Sequence, residues 1–210
     1  MKIDCLVLGA YETNSYLLRV DETATNCLII DTGLAAGKLV SYIGEHKLNP
    51  AAVVLTHGHA DHITGVAALR QNFPDIKVYI HKLDAQMLTG QEENLSALAG
   101  TFFTAAPADF LVDQGSIIDE AGIKLLVLHT PGHTPGGICL YSENDQIVFV
   151  GDTLFADSVG RTDLPGGSMA QLIKCITDKL LILPDQTVCY PGHGPSTTIA
   201  YEREHNQYLQ

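Results

Sequence analysis

The sequence predicts an α+β fold in which two mixed β-sheets pack face to face with helices on their outer faces. Each half of the chain reads as several short strands followed by a helix, so the same order of elements occurs twice. Loops that contain His, Asp and Gly follow several of these strands. Because a half-buried sheet needs a second apolar layer, two packed sheets with outer helices fit this order.

Alternating or β-branched apolar residues predict the strands of the first half, at residues 3–8, 15–20, 27–31, 52–55 and 77–81. Apolar residues at helical spacing predict helices over residues 33–46 and 61–72. For residues 87–109 the pattern leaves two interpretations open, a partly helical segment that ends at Pro107 or a lid over a site.

The same pattern predicts strands in the second half at residues 116–118, 123–129, 137–141, 146–150 and 187–190. Ser168 is the predicted N-cap of a helix that continues to about residue 181. A final short helix is predicted within residues 199–209. The candidate site residues lie at or just past strand ends, where a rigid scaffold presents functional loops.

The composition fits one domain over residues 1–210, with 46% hydrophobic and 17% charged residues. The formal charge of -12 disfavours nucleic acid and anionic membranes as partners. No apolar run reaches the roughly 20 residues of a membrane span. The five cysteines include no CxxC pair and the N-terminus has no signal-like apolar block, so we expect a cytoplasmic protein with buried free thiols.

The strongest chemical signal is Thr-His-Gly-His-Ala-Asp-His at residues 56–62, directly after a predicted strand. Neutral imidazole and carboxylate oxygen are common ligands of zinc and similar divalent ions. His57 and His59 are two positions apart in an extended turn, so their side chains can point to one side. Asp61 and His62 begin the next helix and project from another direction. This turn can therefore serve two neighbouring metal ions, whereas a His-rich surface turn is the structural alternative.

Three later turns share one construction, a strand followed by a sharp turn with Gly beside His or Asp. They contain His133 in HTPGHTPG, Asp152 in FVGDT and His193 in YPGHGP. Glycine lets the backbone turn sharply beside an ion. A single His after a strand is more often structural, but three such turns after a His-rich cluster favour a metal centre.

The four motifs HxHxDH, PGHT, GDTLF and PGHG resemble those of the metallo-β-lactamase fold superfamily, and within it the short form of the glyoxalase II-like hydrolases. The resemblance extends over nearly the whole chain. It implies a four-layered αββα sandwich, the metallo-β-lactamase fold. It also implies a first metal held by His57, His59 and His133, a second held by Asp61, His62 and His193, and Asp152 as the bridge.

Such a centre would hold two divalent metal ions, with zinc expected and iron or manganese as alternatives that accept the same ligands. Two ions about 3.5–4 Å apart can share a water and lower its pKa toward neutrality, so a metal-bridging hydroxide is the expected nucleophile. A metal ion also polarises the substrate carbonyl. Asp61 is predicted to be catalytic as well, because it can orient the attacking hydroxide.

Asp31 is a candidate for a supporting role behind the ligands, because a carboxylate often accepts the second N–H of a ligating His. A turn-forming Asp is an equal alternative. His81 and His129 also lie near strand ends but match no ligand position, so we interpret them as structural.

The resemblance implies hydrolysis of a small thioester such as S-lactoylglutathione, the reaction of a hydroxyacylglutathione hydrolase. Arg161 lies where that family places a basic residue against glutathione, so it is the predicted substrate contact, with a surface salt bridge as the alternative. The chain ends soon after His193, without a C-terminal helical segment that adds glutathione contacts, so glutathione specificity stays open. The sequence predicts no oligomeric state.

Two alternative functions remain. Residues 160–163, Gly-Arg-Thr-Asp, are similar to a stretch in persulfide dioxygenases of the same fold, which bind one iron in the manner of His57, His133 and Asp152. A metal-binding sensor without turnover is the alternative from another class. Antibiotic hydrolysis is not expected, because drug-hydrolysing members often carry Cys or another residue at the position of Asp152.

Overall fold

The computed structural model describes residues 1–97, 100 and 102–210, and it confirms two mixed sheets with flanking helices. Six strands form the first sheet in chain order: β1 (Lys2–Leu8), β2 (Thr13–Arg19), β3 (Asn26–Ile30), β4 (Asn49–Val54), β5 (Lys77–His81) and β6 (Phe110–Val112). The first three strands pair antiparallel, and β4, β5 and β6 extend the sheet in parallel. The parallel half requires crossover connections, which run over the outer face of the sheet.

The second sheet contains β7 (Ile117–Glu120), β8 (Ile123–His129), β9 (Ile138–Ser142), β10 (Ile147–Gly151), β13 (Val188–Pro191) and β14 (Thr197–Thr198). Their order across the sheet is β14-β13-β10-β9-β8-β7. Among the described residues β10 and β13 form its one parallel pair. Between these two strands, the chain forms a small hairpin of β11 (Leu154–Phe155) and β12 (Ser158–Val159).

The α-helices of the described part of the chain are α1 (Ala36–Glu45), α2 (Ala60–Ile63), α3 (Val66–Asn72), α4 (Met169–Cys175) and α5 (Ile199–His205). Helix α4 continues into a π-helical turn, Ile176–Leu180. The predicted N-cap of α4 is confirmed, because Ser168 Oγ accepts a hydrogen bond from Gln171 N at 3.4 Å.

The single helix predicted over residues 61–72 is wrong, because Gly65 separates α2 from α3. Gly65 N donates to Thr32 Oγ1 at 2.9 Å, and a Cβ at Gly65 would lie 2.6 Å from the Thr32 Cβ. The helix is therefore broken where it approaches the loop after β3. Helical periodicity carries no signal for such a long-range contact.

The segment after β5 contains little regular structure. One 3-10 turn, Ala85–Leu88, is followed in the described residues by turns and irregular chain, so the partly helical interpretation of residues 87–109 applies there to the first two positions alone. Residues 98, 99 and 101 of that segment lie outside the described residues. Asn94 is fully buried and donates from Nδ2 to the carbonyls of Met87 and Phe103 at 2.9 and 3.0 Å, which folds this part of the chain back on itself.

Three apolar clusters lie between the four layers of the αββα sandwich. In β3, Leu28 and Ile30 belong to the cluster between the sheets, whereas Cys27 and Ile29 belong to the cluster beneath α1 and α3. Successive strand residues point to opposite faces, so a strand covered on both sides is apolar throughout. The third cluster packs the second sheet against α4 and the start of α5.

All five cysteines are free, as expected, and four of them are buried, whereas Cys5 is exposed. Within residues 1–97, 100 and 102–210, no helix has both the length and the apolar character needed to cross a bilayer.

We expect Phe149→Ala to lower the free energy of unfolding by about 3–5 kcal/mol, because it leaves a cavity between the sheets. Phe149 is fully buried in β10, with its ring centroid 5.2 Å from that of Tyr16 and 5.3 Å from that of Tyr190. Urea unfolding followed by circular dichroism measures the loss. The control Phe102→Ala removes a side chain that is 78% exposed and should change stability by about 0.5 kcal/mol at most. Equal effects of the two substitutions would contradict the packing between the sheets.

Candidate metal centre

The seven side chains predicted as ligands lie together at the carboxyl ends of strands from both sheets. The loop after β4 and the start of α2 carry His57, His59, Asp61 and His62. The loops after β8, β10 and β13 carry His133, Asp152 and His193. Packing of the two sheets therefore brings four separate chain segments to one place.

The first predicted set, His57, His59 and His133, has ligand atoms within 4.8 Å of one another. His59 Nδ1 lies 2.9 Å from His133 Nε2. The His57 ring stands nearly perpendicular to the other two, with centroids 4.8 Å away in both cases. Three imidazoles that meet edge to face in this way direct their nitrogens at a common point rather than stacking.

The second predicted set, Asp61, His62 and His193, is equally compact. Asp61 Oδ2 lies 3.2 Å from His193 Nε2 and 3.4 Å from His62 Nε2. The two imidazole nitrogens are 3.3 Å apart. Thr13 Oγ1 donates to Asp61 Oδ2 at 3.2 Å, which fixes the carboxylate from the side of β2.

Asp152 lies between the two sets. Its Oδ1 is 3.5 Å from His62 Nε2, and its Oδ2 is 3.6 Å from both His133 Nε2 and His193 Nε2. One carboxylate thus faces ligands of both sets, which is the position that a bridging residue requires.

Two of the imidazoles are oriented by main-chain carbonyls. His133 Nδ1 lies 2.8 Å from Arg161 O, and His193 Nδ1 lies 2.8 Å from Tyr11 O. A carbonyl can only accept, so each Nδ1 carries a proton, and in the neutral ring each Nε2 presents an unprotonated lone pair to the cluster. Metal-ligating histidines show this arrangement.

Asp31 orients two further imidazoles. Its Oδ2 accepts from His62 Nδ1 at 2.8 Å and from Thr56 Oγ1 at 2.7 Å. Because the Thr56 hydroxyl proton is already donated to Asp31, His57 Nδ1 donates to Thr56 Oγ1 at 3.1 Å. In their neutral forms, His62 and His57 therefore direct an unprotonated Nε2 at the cluster. Of the two sequence-based alternatives for Asp31, the contacts favour the supporting role behind the ligands.

Divalent cations fit this donor set. In the described part of the chain, His57 Nε2 and Asp152 Oδ1 are buried without a hydrogen-bond partner, an unfavourable state that a cation would relieve. Gly192 leaves the space open, because a Cβ there would lie 2.3 Å from Asp152 Oδ1 and 2.7 Å from His62 Cε1. Imidazole and carboxylate donors suit zinc, iron and manganese.

The electrostatics of the cluster also favour a cation. Burial and the neighbouring imidazoles lower the pKa of His57 and His59, to about 3 for His59. Burial opposes charge on His62 too, but nearby carboxylates, chiefly Asp61, outweigh it and raise the pKa of His62 to about 10. Asp61 is itself buried, yet His62 outweighs that effect and holds the pKa of Asp61 below its usual range.

A cavity of about 520 Å³ opens onto the cluster. This volume suits a small molecule. Beyond the predicted ligands, its walls include the mainly apolar side chains of Tyr11, Leu95, Phe155, Val159 and Leu164, and the polar side chains of Asn94, Ser158 and Arg161.

Arg161 shows features of both predicted roles, a substrate contact and a surface salt bridge. It lines the cavity, but its side chain is 62% exposed and forms a bidentate pair with Asp163, at 2.7 Å from Nε to Oδ1 and 2.8 Å from Nη2 to Oδ2. A substrate carboxylate at this position must therefore compete with Asp163 for the guanidinium.

Two residues near the cluster were not predicted from the sequence. Asn14 Nδ2 donates to the carbonyls of Pro191 and Gly194, at 3.0 and 2.9 Å, and so clamps the turn that carries His193. Asp84 is fully buried beside the other loops, and burial raises the pKa of its carboxyl group. A single Asn at a strand start and a single Asp after a strand are common in turns, so neither position carried a distinctive signal.

His81, Asp113 and His129 form another compact group, away from the seven predicted ligands. Leu83 N donates to His81 Nδ1 at 3.3 Å, so His81 Nε2 carries the proton and donates to Asp113 Oδ1 at 3.3 Å. Lys82 also pairs with Asp113. These contacts, with His129 Nε2 at 2.9 Å from Pro135 O, favour the structural interpretation of His81 and His129.

Two curated relatives are similar over nearly their whole lengths. "Probable metallo-hydrolase YqgX" of Bacillus subtilis (strain 168) is 38% identical over 210 residues, which are 100% of this chain and 98% of the relative. "Hydroxyacylglutathione hydrolase GloC" of Haemophilus influenzae is 36% identical over 214 residues, again 100% of this chain and 98% of the relative.

Solved structures show the same likeness. "BLEG-1 B3 metallo-beta-lactamase" aligns with a TM-score of 0.93 and 38% identity over all of both chains. The di-iron-bound form of TTHA1623 aligns with a TM-score of 0.84 and 36% identity, covering 98% of this chain and 100% of that one. ETHE1 from Myxococcus xanthus aligns with a TM-score of 0.79 and 31% identity, covering 99% of this chain and 84% of that one.

A family model described as "Metallo-beta-lactamase superfamily" matches residues 8–193, which include every predicted ligand. With the strand order, the clustered motifs and these relatives, the match shows that the chain belongs to the metallo-beta-lactamase superfamily.

Proposed function

We propose that the chain is a binuclear metal-dependent hydrolase that cleaves a small thioester, such as S-lactoylglutathione, to a carboxylic acid and a thiol. The observation that carries the proposal is the position of Asp152, whose carboxylate faces two sets of ligands. The similarity of the whole chain to a hydroxyacylglutathione hydrolase supports a thioester as the class of substrate. One ion would be held by His57, His59 and His133, the other by Asp61, His62 and His193, and both by Asp152.

Bound divalent ions, expected to be zinc with iron or manganese as alternatives, would supply a Lewis acid for the carbonyl oxygen and lower the pKa of a water molecule. Asp61 lines the cavity, and its carboxylate can accept a hydrogen bond from the attacking water and orient it toward the carbonyl carbon. Asp31 keeps His62 Nε2 directed at the cluster through the bond to His62 Nδ1. The water oxygen bonds to the acyl carbon, the C–S bond breaks, and the departing sulfur takes up the proton that the water releases, which leaves a carboxylic acid and a thiol.

The cavity supports a substrate with a short acyl group and a polar, anionic thiol portion. Phe155, Val159 and Leu164 offer an apolar wall, and Arg161 places a guanidinium at the cavity wall. A carboxylate on the thiol portion can pair with Arg161 if it displaces Asp163, and the guanidinium fork suits this bidentate contact.

Specific observations also favour two other reactions. The sequence of residues 160–163 favours the persulfide dioxygenase with a single iron. The 0.93 TM-score with a B3 metallo-beta-lactamase favours lactam hydrolysis, whereas Asp152, at a position where drug-hydrolysing members often carry Cys, argues against it. All these reactions place a substrate over the same ligand cluster, so metal content and substrate choice distinguish them.

Elemental analysis of the purified protein, combined with S-lactoylglutathione hydrolysis, tests the proposal. Two metal ions per chain together with thioester turnover support it. One iron per chain with oxygen uptake on glutathione persulfide would identify the dioxygenase, and cephalosporin cleavage without thioester turnover would identify the lactamase. A protein that binds metal but turns over none of a panel of thioesters, lactones and esters would be a sensor.

Asp152→Ala should remove the bridge, halve the bound metal and lower kcat/KM for the thioester by more than about 100-fold, because even the loss of a supporting residue behind a metal ligand costs 10–100-fold. Metal analysis and steady-state kinetics measure both effects. Asp178→Ala is the control, since Asp178 is exposed and pairs with Lys174. Turnover near that of the wild type in Asp152→Ala would refute the proposed mechanism.

Arg161→Ala should raise KM for glutathione thioesters much more than for simple aryl esters, because only the former carry carboxylates for the guanidinium. Asp163→Asn is the complementary variant: it frees Arg161 from its bidentate pair and should lower KM for the same thioesters. Parallel kinetics on the two substrate classes measure the difference. Equal changes for both classes would mean that Arg161 does not contact the glutathione portion.

A further inference from the structure

Asp84 lies three residues after β5 and its side chain is fully buried. Its carboxylate accepts three hydrogen bonds from other segments of the chain. Oδ2 accepts from Gly58 N at 3.1 Å and from Thr134 Oγ1 at 2.7 Å, and Oδ1 accepts from Gly136 N at 2.6 Å.

These three donors belong to two of the ligand-bearing loops. Gly58 lies between His57 and His59, and Thr134 directly follows His133. The loops are more than 70 residues apart in the sequence, as the 74-residue separation of His59 and His133 shows. Asp84 is therefore a cross-link between the two segments that carry the first predicted set of metal ligands.

The carboxylate is itself held in place. Asp84 N donates to His81 O at 3.0 Å, and Asp84 O accepts from Met87 N at 2.9 Å. The packing around it is close, since a Cβ on Gly136 would lie 2.5 Å from Asp84 Oδ1. Because the backbone N–H and C=O groups of Asp84 are both hydrogen-bonded, its carboxylate can hold the two loops that it joins at a fixed distance from each other.

In the part of the chain that the structure describes, Asp84 forms no ion pair with Lys or Arg. A buried carboxylate without a cationic partner is costly, and neutral donors offset that cost only in part. Unlike Asp31, it bonds to none of the imidazoles; it contacts the backbone and hydroxyl groups beside them. A buried negative charge in this place favours a cation held by the loops.

We infer that Asp84 is a positioning residue for the metal centre, which sets the spacing between the loop of His57 and His59 and the loop of His133. The inference rests on the metal binding of the proposed function. It assigns Asp84 an effect on metal affinity beyond its contribution to the stability of the fold.

The test is a zinc titration of metal-free protein in competition with a chromophoric chelator. Asp84→Asn keeps the size of the side chain but replaces one accepting oxygen by an NH₂ group, so at least one of the three donors loses its acceptor. We expect the Kd for zinc to rise about 10–100-fold, the effect typical of residues that orient metal ligands. In the cobalt-substituted protein, the visible bands should shift, because the ligand geometry changes.

Two controls separate positioning from stability. Asp119→Asn changes an exposed carboxylate that pairs with Lys124 and should leave the Kd unchanged. Ile43→Ala opens a cavity in α1, outside both loops, and should lower the melting temperature of the metal-free protein without changing the Kd.

A double-mutant cycle gives a second line of evidence. Thr134→Val keeps the shape of the side chain but removes the hydroxyl that donates to Asp84, so it should also weaken zinc binding. Both substitutions break the same hydrogen bond between Thr134 and Asp84. The double variant should therefore lose less zinc affinity than the sum of the two single losses predicts.

A Kd for Asp84→Asn equal to that of the wild type would overturn the positioning role and leave the proposed function intact. A parallel loss of affinity in Ile43→Ala would also overturn it, because general destabilisation would then explain the effect. If wild-type protein bound neither zinc nor iron nor manganese, the proposed function and this inference would both fail.

Discussion

The site depends above all on where the protons of its imidazoles lie. His62, His133 and His193 each donate Nδ1–H to an acceptor outside the cluster, so in its neutral form each turns an unprotonated Nε2 inward. Lone pairs on several rings cannot hydrogen-bond to one another, and two carboxylates, Asp61 and Asp152, bring further acceptors to the same place. A polyvalent cation can bind several of these acceptors at once. Without a cation, each acceptor needs a hydrogen-bond donor or a proton of its own.

The layers of the fold hold the loops in place. Strands such as β3 are covered on both faces, so Cys27 to Ile30 are apolar and buried, and polar residues lie at the strand ends. The ligand loops then contact each other directly. Asn14 N and its side chain bind the turn that carries His193, and Asp84 joins the loops of the first ligand set. The apolar core and the polar cluster are thus successive parts of the same strands.

The ligand cluster could be predicted from the sequence because its residues occur in short motifs beside Gly at strand ends, so local spacing carries the signal. The break at Gly65 could not, because it depends on Thr32, 33 positions earlier. The strands β6, β11, β12 and β14 contain only two or three residues each, too few for a periodic pattern. Asp84 was missed for a related reason, since its partners lie 26 to 52 positions away.

The acceptors for His133 and His193 are main-chain carbonyls, and they belong to residues whose side chains line the cavity, Arg161 and Tyr11. Every amino acid supplies the same carbonyl oxygen. The side chain at the cavity wall can therefore change at either position while the atom that fixes the imidazole stays the same. The cavity lining and the orientation of the histidines are encoded in different atoms of one residue, so substitutions can reshape the cavity at little risk to the cluster.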